Sequence, residues 1–158
     1  MSSAIGRFCY ALTAFNDSEV YRYLIKTNGS QRVFIRLKEG AKKLSEKYGF
    51  EYVAASLRKS RSASANDYSA MIYSRSENVV YHSREYAADP IVDRVGTGDA
   101  FSAGVLCGLL DGKDYRDALE FGVAAAVLKH TVPGDFNCIT RGEAEALAGG
   151  CGSLKVQR

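Results

Sequence analysis

An α/β fold with a mainly parallel sheet is what this sequence predicts, and three features predict it. Two apolar runs of strand length, "FCYALTAF" (8–15) and "FEYVAASL" (50–57), are separated by two segments of helical character. The order strand, helix, helix, strand is the sequence mark of parallel α/β packing. Beyond residue 97 the chain reads as helix after helix, the last two broken where Pro133 and Gly134 stand together.

Taken in order, 8–15 is rich in aromatics and reads as the first strand. In "NDSEVYRYLIKTNG", Asn16 or Asp17 caps a helix that Gly29 ends. "KEGAKKLSEKYG" sets Ala41, Leu44 and Tyr48 on one helical face, with Gly49 as terminator. After the strand 50–57, "LRKSRSASANDY" is polar and short-chained and reads as a loop. "YSAMIYS" and "NVVYHS", with "RSE" between them, form a hairpin, and "DPIVDRV" is a short extended piece. Helices follow over 98–110, 114–130 and about 140–148. "VPGDFN" breaks the last two, because proline cannot continue a helix and glycine accepts the turn.

The bulk numbers narrow the function classes. At 158 residues the chain is one ordinary domain or half of a larger one. Its 46% hydrophobic and 25% charged content is that of a globular protein with a real core. A net charge of +3, with Lys and Arg scattered, gives no basic stripe for nucleic acid. Cys9, Cys107, Cys138 and Cys151 form no CxxC pair, and His82 and His130 lie far apart, which argues against zinc. No apolar run reaches the roughly 18 residues of a membrane span. With no secretory signal read, disulfides are not expected and a cytoplasmic location is.

The chemistry concentrates in "DRVGTGDAFSAGVL" (93–106). Gly96, Thr97 and Gly98 form a turn before an apolar helix. Glycines let the backbone approach a ligand closely. The first N–H groups of a helix have no internal partner, so this end is suited to an anion. Phosphoryl transfer needs fixed donors of this kind. A carboxylate beside them, Asp99, can accept the proton of an attacking hydroxyl. The competing reading is plain: Asp is a good helix cap, and glycine-rich turns often precede helices. A dinucleotide fingerprint is excluded, since Phe101 stands where its third glycine belongs, and no GxxxxGK[ST] loop occurs.

With its neighbours, this stretch resembles the C-terminal signature of the ribokinase-like, or PfkB, carbohydrate kinases. "VAASLRKSRSASANDYSAMIY" and "ALEFGVAAAVLKHTVPGDFNCIT" resemble the 2-keto-3-deoxygluconate kinase branch. The resemblance implies the C-terminal half of a ribokinase-like three-layer α/β/α fold. Residues 1–15 match poorly, 16–150 form the nucleotide-side part of the kinase domain, and 151–158 are a tail. It further implies Asp99 as catalytic base, with Gly96, Thr97 and Gly98 as the anion site. Arg58 and Ser60 would lie near the nucleotide. Residues 123–130, Val123 and Val127 among them, would border the adenine, and Asp135 would reach the hydroxyls of the sugar acid. Asn16 and Glu19 would help to order Mg²⁺ indirectly, through water. The implied cofactors are ATP and Mg²⁺. The implied activity is phosphorylation of 2-keto-3-deoxygluconate or a similar sugar by a truncated kinase. The alternative is a non-catalytic nucleotide-binding half-domain that needs a partner chain or has lost activity. The implied partners are the small sugar acid and ATP, with a homodimer or a complementing N-terminal half; neither nucleic acid nor membrane is expected.

Overall fold

The computed structural model describes the backbone of residues 8–10 and 31–37 and the whole of residues 38–150. Asn16 and Glu19, the helix expected over 16–29 and the tail 151–158 lie outside the described residues. The elements run β1 (Phe8–Tyr10), α1 (Gln31–Tyr48), β2 (Tyr52–Ser62), β3 (Ala65–Ser74), β4 (Val79–His82), β5 (Tyr86–Ala88), α2 (Thr97–Leu110), α3 (Tyr115–Lys129) and α4 (Arg141–Ala148). Among the described residues no helix is long and apolar enough to cross a membrane.

The expected mainly parallel sheet is corrected. The strand order is β1-β2-β3-β4, with β5 also on β3. β1 and β2 pair in parallel over Phe8↔Tyr52, Cys9↔Val53 and Tyr10↔Ala54. The rest doubles back on itself. Only Ala63 and Ser64 separate β2 from β3, and a parallel return needs a crossover of about a dozen residues or more. Residues 75–78 likewise turn β3 into β4. β5 runs antiparallel to β3, with Asn66↔Ala88 and Tyr68↔Tyr86 in register. The segment 57–68, expected as a loop, is therefore the tip and arms of a hairpin. The error has a physical source: residues 58–62 of β2 are exposed on both faces, so no alternation marks them as strand.

The described residues fall into two compact units, whose division crosses β2 after Ala55 and β3 after Ala70. The first unit holds β1, α1, the start of β2, the end of β3 and nearly all of β4. Ala41, Leu44 and Ser45 are the buried face of α1, whereas Tyr48, expected with them, is 52% exposed at the helix end. Gly49 ends α1 at φ +74, and Ser45 Oγ donates to Phe50 O at 2.6 Å to fix the exit. Val53, Ala54, Met71, Ile72 and Tyr73 fill its strands.

The second unit carries the remainder of β2 and β3, then β5, α2, α3 and α4. The helix expectations hold to within a residue at most ends. α2 and α3 approach closely because small residues line their contact. A Cβ added at Gly104 would stand 2.7 Å from Gly122 Cα, and one at Gly122 would stand 2.9 Å from Phe101 O. α3 is buried continuously from Ala118 to Lys129. Phe101, Leu119, Val123, Val127 and Leu128 are its core, with the Tyr68 ring edge-on to Phe101 at 6.5 Å and to His130 at 5.5 Å. α4 starts on a capping box, in which Thr140 N donates to Glu143 Oε2 at 2.7 Å and Glu143 N to Thr140 Oγ1 at 3.3 Å.

Candidate active site

The turn ahead of α2 is built on one carboxylate. Asp93 Oδ1 accepts from Arg94 N at 2.6 Å and Val95 N at 3.0 Å, and Asp93 Oδ2 accepts from Gly134 N at 2.8 Å. The amides of Val95 and Gly134, aided by that of Arg94 and the Lys129 charge, hold the Asp93 carboxyl below the usual carboxylate range. The same segment hangs from the end of α3, since His130 O accepts from Val92 N at 2.8 Å and Asp93 N at 3.2 Å. Arg94 reaches the other way, its guanidinium donating to Ala63 O at 2.7 Å, while Ile91 N donates to Ser64 O at 2.8 Å. The hairpin tip and the turn are thus joined by direct bonds.

Gly96 then starts α2 in the left-handed region, φ 74 and ψ 0. The first bond of the helix is Ala100 N to Gly96 O at 2.9 Å. Thr97 N reaches Arg94 O only at 3.4 Å, and Thr97 Oγ1 donates to the same carbonyl at 3.0 Å. Among the described residues, the N–H groups of Gly98 and Asp99 meet no acceptor. Asp99 is exposed in the first turn, and no hydrogen bond ties its carboxylate to another described residue. Free amides and the positive end of a helix dipole therefore stand beside an accessible carboxylate.

The loop after α3 closes over this turn. A Cβ at Gly96 would stand 2.9 Å from Asp135 O, 3.1 Å from Asp135 Oδ1 and 3.3 Å from Lys129 Cε. Asp135 is exposed and Lys129 is wholly buried, donating from Nζ to Val132 O at 3.2 Å and Gly134 O at 2.6 Å. The structure thus brings Gly96, Thr97, Gly98, Asp99 and Asp135 together. Asp93 and Lys129 complete the cluster, and sequence reasoning gave them no role there. A lysine inside the apolar run "AAAVLKHTV" was the available signal.

Other expected residues stand apart from it. Arg58 and Ser60 are exposed on β2, and Ser60 Oγ donates to Ser62 O at 3.3 Å. Val123 and Val127 are both 0% exposed, so their side chains offer a ligand no surface. Among the described residues no group of three His, Cys, Asp or Glu could hold a metal ion. Mg²⁺ asks for less than that, one or two carboxylates and several waters, and Asp99 and Asp135 are exposed carboxylates of this cluster.

Residues 68–141, which contain the whole cluster, match the model of the pfkB family carbohydrate kinases. This segment is related to the pfkB carbohydrate kinases. Over 49 residues the chain is 47% identical to a 2-dehydro-3-deoxygluconokinase of Bacillus subtilis, a match covering 31% of this chain and 15% of that one. Over 92 residues it is 35% identical to a 2-dehydro-3-deoxygalactonokinase of Haloferax volcanii, covering 53% and 29%. The crystal structure of a 2-dehydro-3-deoxygluconokinase from Thermotoga maritima superposes with a TM-score of 0.68 at 38% identity, covering 73% of this chain and 34% of that one. The chain therefore spans less than a third of the curated relatives and about a third of this solved structure.

Proposed function

We propose that this chain carries the phosphoryl-transfer machinery of an ATP-dependent carbohydrate kinase, acting on 2-keto-3-deoxygluconate or a similar sugar acid. The observation that carries this reading is the pair of unbonded amides, Gly98 and Asp99, beside the accessible Asp99 carboxylate. The relatives named as gluconate- and galactonate-type kinases support the acceptor class. In this reading the Gly96–Gly98 turn holds the oxygens of the phosphoryl group. Asp99 orients the acceptor hydroxyl and takes its proton as the new O–P bond forms and the bond to ADP breaks. Basicity matters little here, because the proton leaves late in a loose transition state, and position matters more. Asp135, in contact with the turn, is proposed to hold the hydroxyls of the sugar acid. Arg58 and Ser60, on the hairpin whose tip Arg94 grips, are proposed for the nucleotide side. Val123 and Val127 are assigned to packing instead, since they have no exposed surface. Mg²⁺ offsets phosphate charge, and Asn16 and Glu19 are proposed to order its water.

The test is formation of phosphorylated sugar acid by the purified chain with ATP and Mg²⁺, compared with Asp99→Asn. Loss of the base should lower turnover by about 10²–10⁴-fold while leaving nucleotide affinity nearly unchanged. Equal product from both proteins would remove Asp99 from the role. A second reading is nucleotide binding without turnover, which the same unbonded amides of Gly98 and Asp99 would serve. Calorimetric heat on adding a non-hydrolysable ATP analogue, with no product from ATP, supports that reading. Product formation excludes it.

A further inference from the structure

We propose that Lys129 is a positioning residue for the phosphate-binding turn, its buried ammonium clamping the 132–135 strap so that the strap sets the shape of that turn. The inference rests on the reading of the turn as a phosphate site. The geometry is a cross-brace on one peptide residue. Gly134 has φ +76; its N–H donates to Asp93 Oδ2 at 2.8 Å, and its carbonyl accepts from Lys129 Nζ at 2.6 Å. A second carbonyl, that of Val132, accepts from the same ammonium at 3.2 Å. The lysine stem lies against the turn itself, with Cε 3.3 Å from where a Gly96 Cβ would be, and Asp135 at the end of the strap meets Gly96 at the same point, its carbonyl 2.9 Å away. Asp93 in turn holds the amides of Arg94 and Val95, which precede Gly96. One ammonium and one carboxylate therefore link the strap, the turn and the end of α3.

A stability role accounts poorly for this arrangement. Taking an ammonium fully out of water carries a penalty of several kcal/mol, and well-packed apolar residues often replace buried charges at no loss of stability. What an apolar side chain cannot do is fix two carbonyls in direction. The other charged groups near the ammonium are consistent with an orienting role. The Asp93 carboxylate attracts it, while His130, the next residue, is held neutral by burial and adds no competing charge.

The experiment compares the full chain with Lys129→Met and Lys129→Ala, titrating each calorimetrically with pyrophosphate and with a non-hydrolysable ATP analogue. Circular dichroism and urea melts record folding alongside. Lys129→Met, close in volume, should keep the wild-type melt and bind about 10-fold more weakly. Lys129→Ala leaves a cavity, and methylammonium in the buffer should restore its binding while leaving Lys129→Met unaffected, because there the space is filled. A purely structural lysine would show stability and binding falling together, with no rescue by the amine. Wild-type affinity in a folded Lys129→Met overturns the inference and leaves the phosphate site standing. Should Lys129→Met fail to fold, rescue of Lys129→Ala decides alone, and its absence overturns the inference. No binding by the wild-type chain overturns the phosphate site and the inference with it.

Discussion

Gly49 and Gly96 share a backbone angle, φ +74, and differ in what surrounds it. At Gly49 nothing lies within 4 Å of an added Cβ, whereas at Gly96 the Asp135 carbonyl would be 2.9 Å away. Substitution by alanine at either site forces a side chain into the left-handed region, at a cost of about 1–2 kcal/mol. Gly96→Ala should lose more stability than Gly49→Ala, and the excess measures the contact between strap and turn. Urea-melt midpoints at constant m-value make the comparison. Only the Gly96 variant should also weaken binding of a nucleotide analogue; equal losses in both variants, with binding intact, would separate Asp135 from the turn.

Among the elements, the helix pair α2 and α3 shows why small residues recur in "AFSAGVLCGLL" and "LEFGVAAAV". Gly104 and Gly122 let the backbones meet, and the space a methyl group needs is already occupied. Gly122→Ala gains about 1 kcal/mol of helix propensity. It also overpacks the contact, an effect of about 1–3 kcal/mol. The expected outcome is a lower melting temperature; a rise would show that the helices can part without penalty. These helices were legible in the sequence because local signals mark their ends: the Gly96–Gly98 turn, and Pro133 with Gly134. The β2–β3 hairpin was not, since its exposed arm carries no alternating pattern and its short turn lies inside a polar run. β5 escaped notice because three residues leave almost no period to read. The Gly96–Gly98 turn and the helix after it were readable from residue type, whereas a helix cap and a catalytic base look alike at Asp99, where the resemblance alone implied the base. The Asp93–Gly134 bond spans 41 residues, and nothing local announces a contact of that length.

At the scale of the whole molecule, every contact that builds the candidate site belongs to the second compact unit, so its acid sensitivity should appear in global melts. Burial holds the His130 imidazole below its ordinary value of 6.5. Its Nδ1–H donates to Ala126 O at 2.8 Å, and among the described residues its buried Nε2 has no partner. Below pH 6.5 the unfolded chain therefore takes up a proton that the folded chain resists. The unfolded state binds more protons, so stability falls as pH drops from 7 towards the lowered folded value. Asp93 adds a second loss at more acid pH: its stabilising bonds are complete above 3.8 and disappear as pH falls through its depressed folded value. Melting temperatures followed from pH 8 to 5 should decline below about 6.5, and His130→Gln should make that limb shallower, the remainder coming from His82, which burial also holds below its ordinary value. A flat wild-type profile would mean that the imidazole takes its proton without resistance.

Exposed hairpin tips are ordinarily where a chain accepts extra residues without consequence. The tip at 62–64 is exposed, yet Arg94 and Ile91 are bonded to its carbonyls. Lengthening it by a residue or two would leave every side chain around Gly96 unchanged and still tug on the stem from which the Gly96 turn is slung. A change of length in that hairpin would thus act on the Gly96 turn from a distance, through the Arg94 guanidinium and the Ile91 amide together.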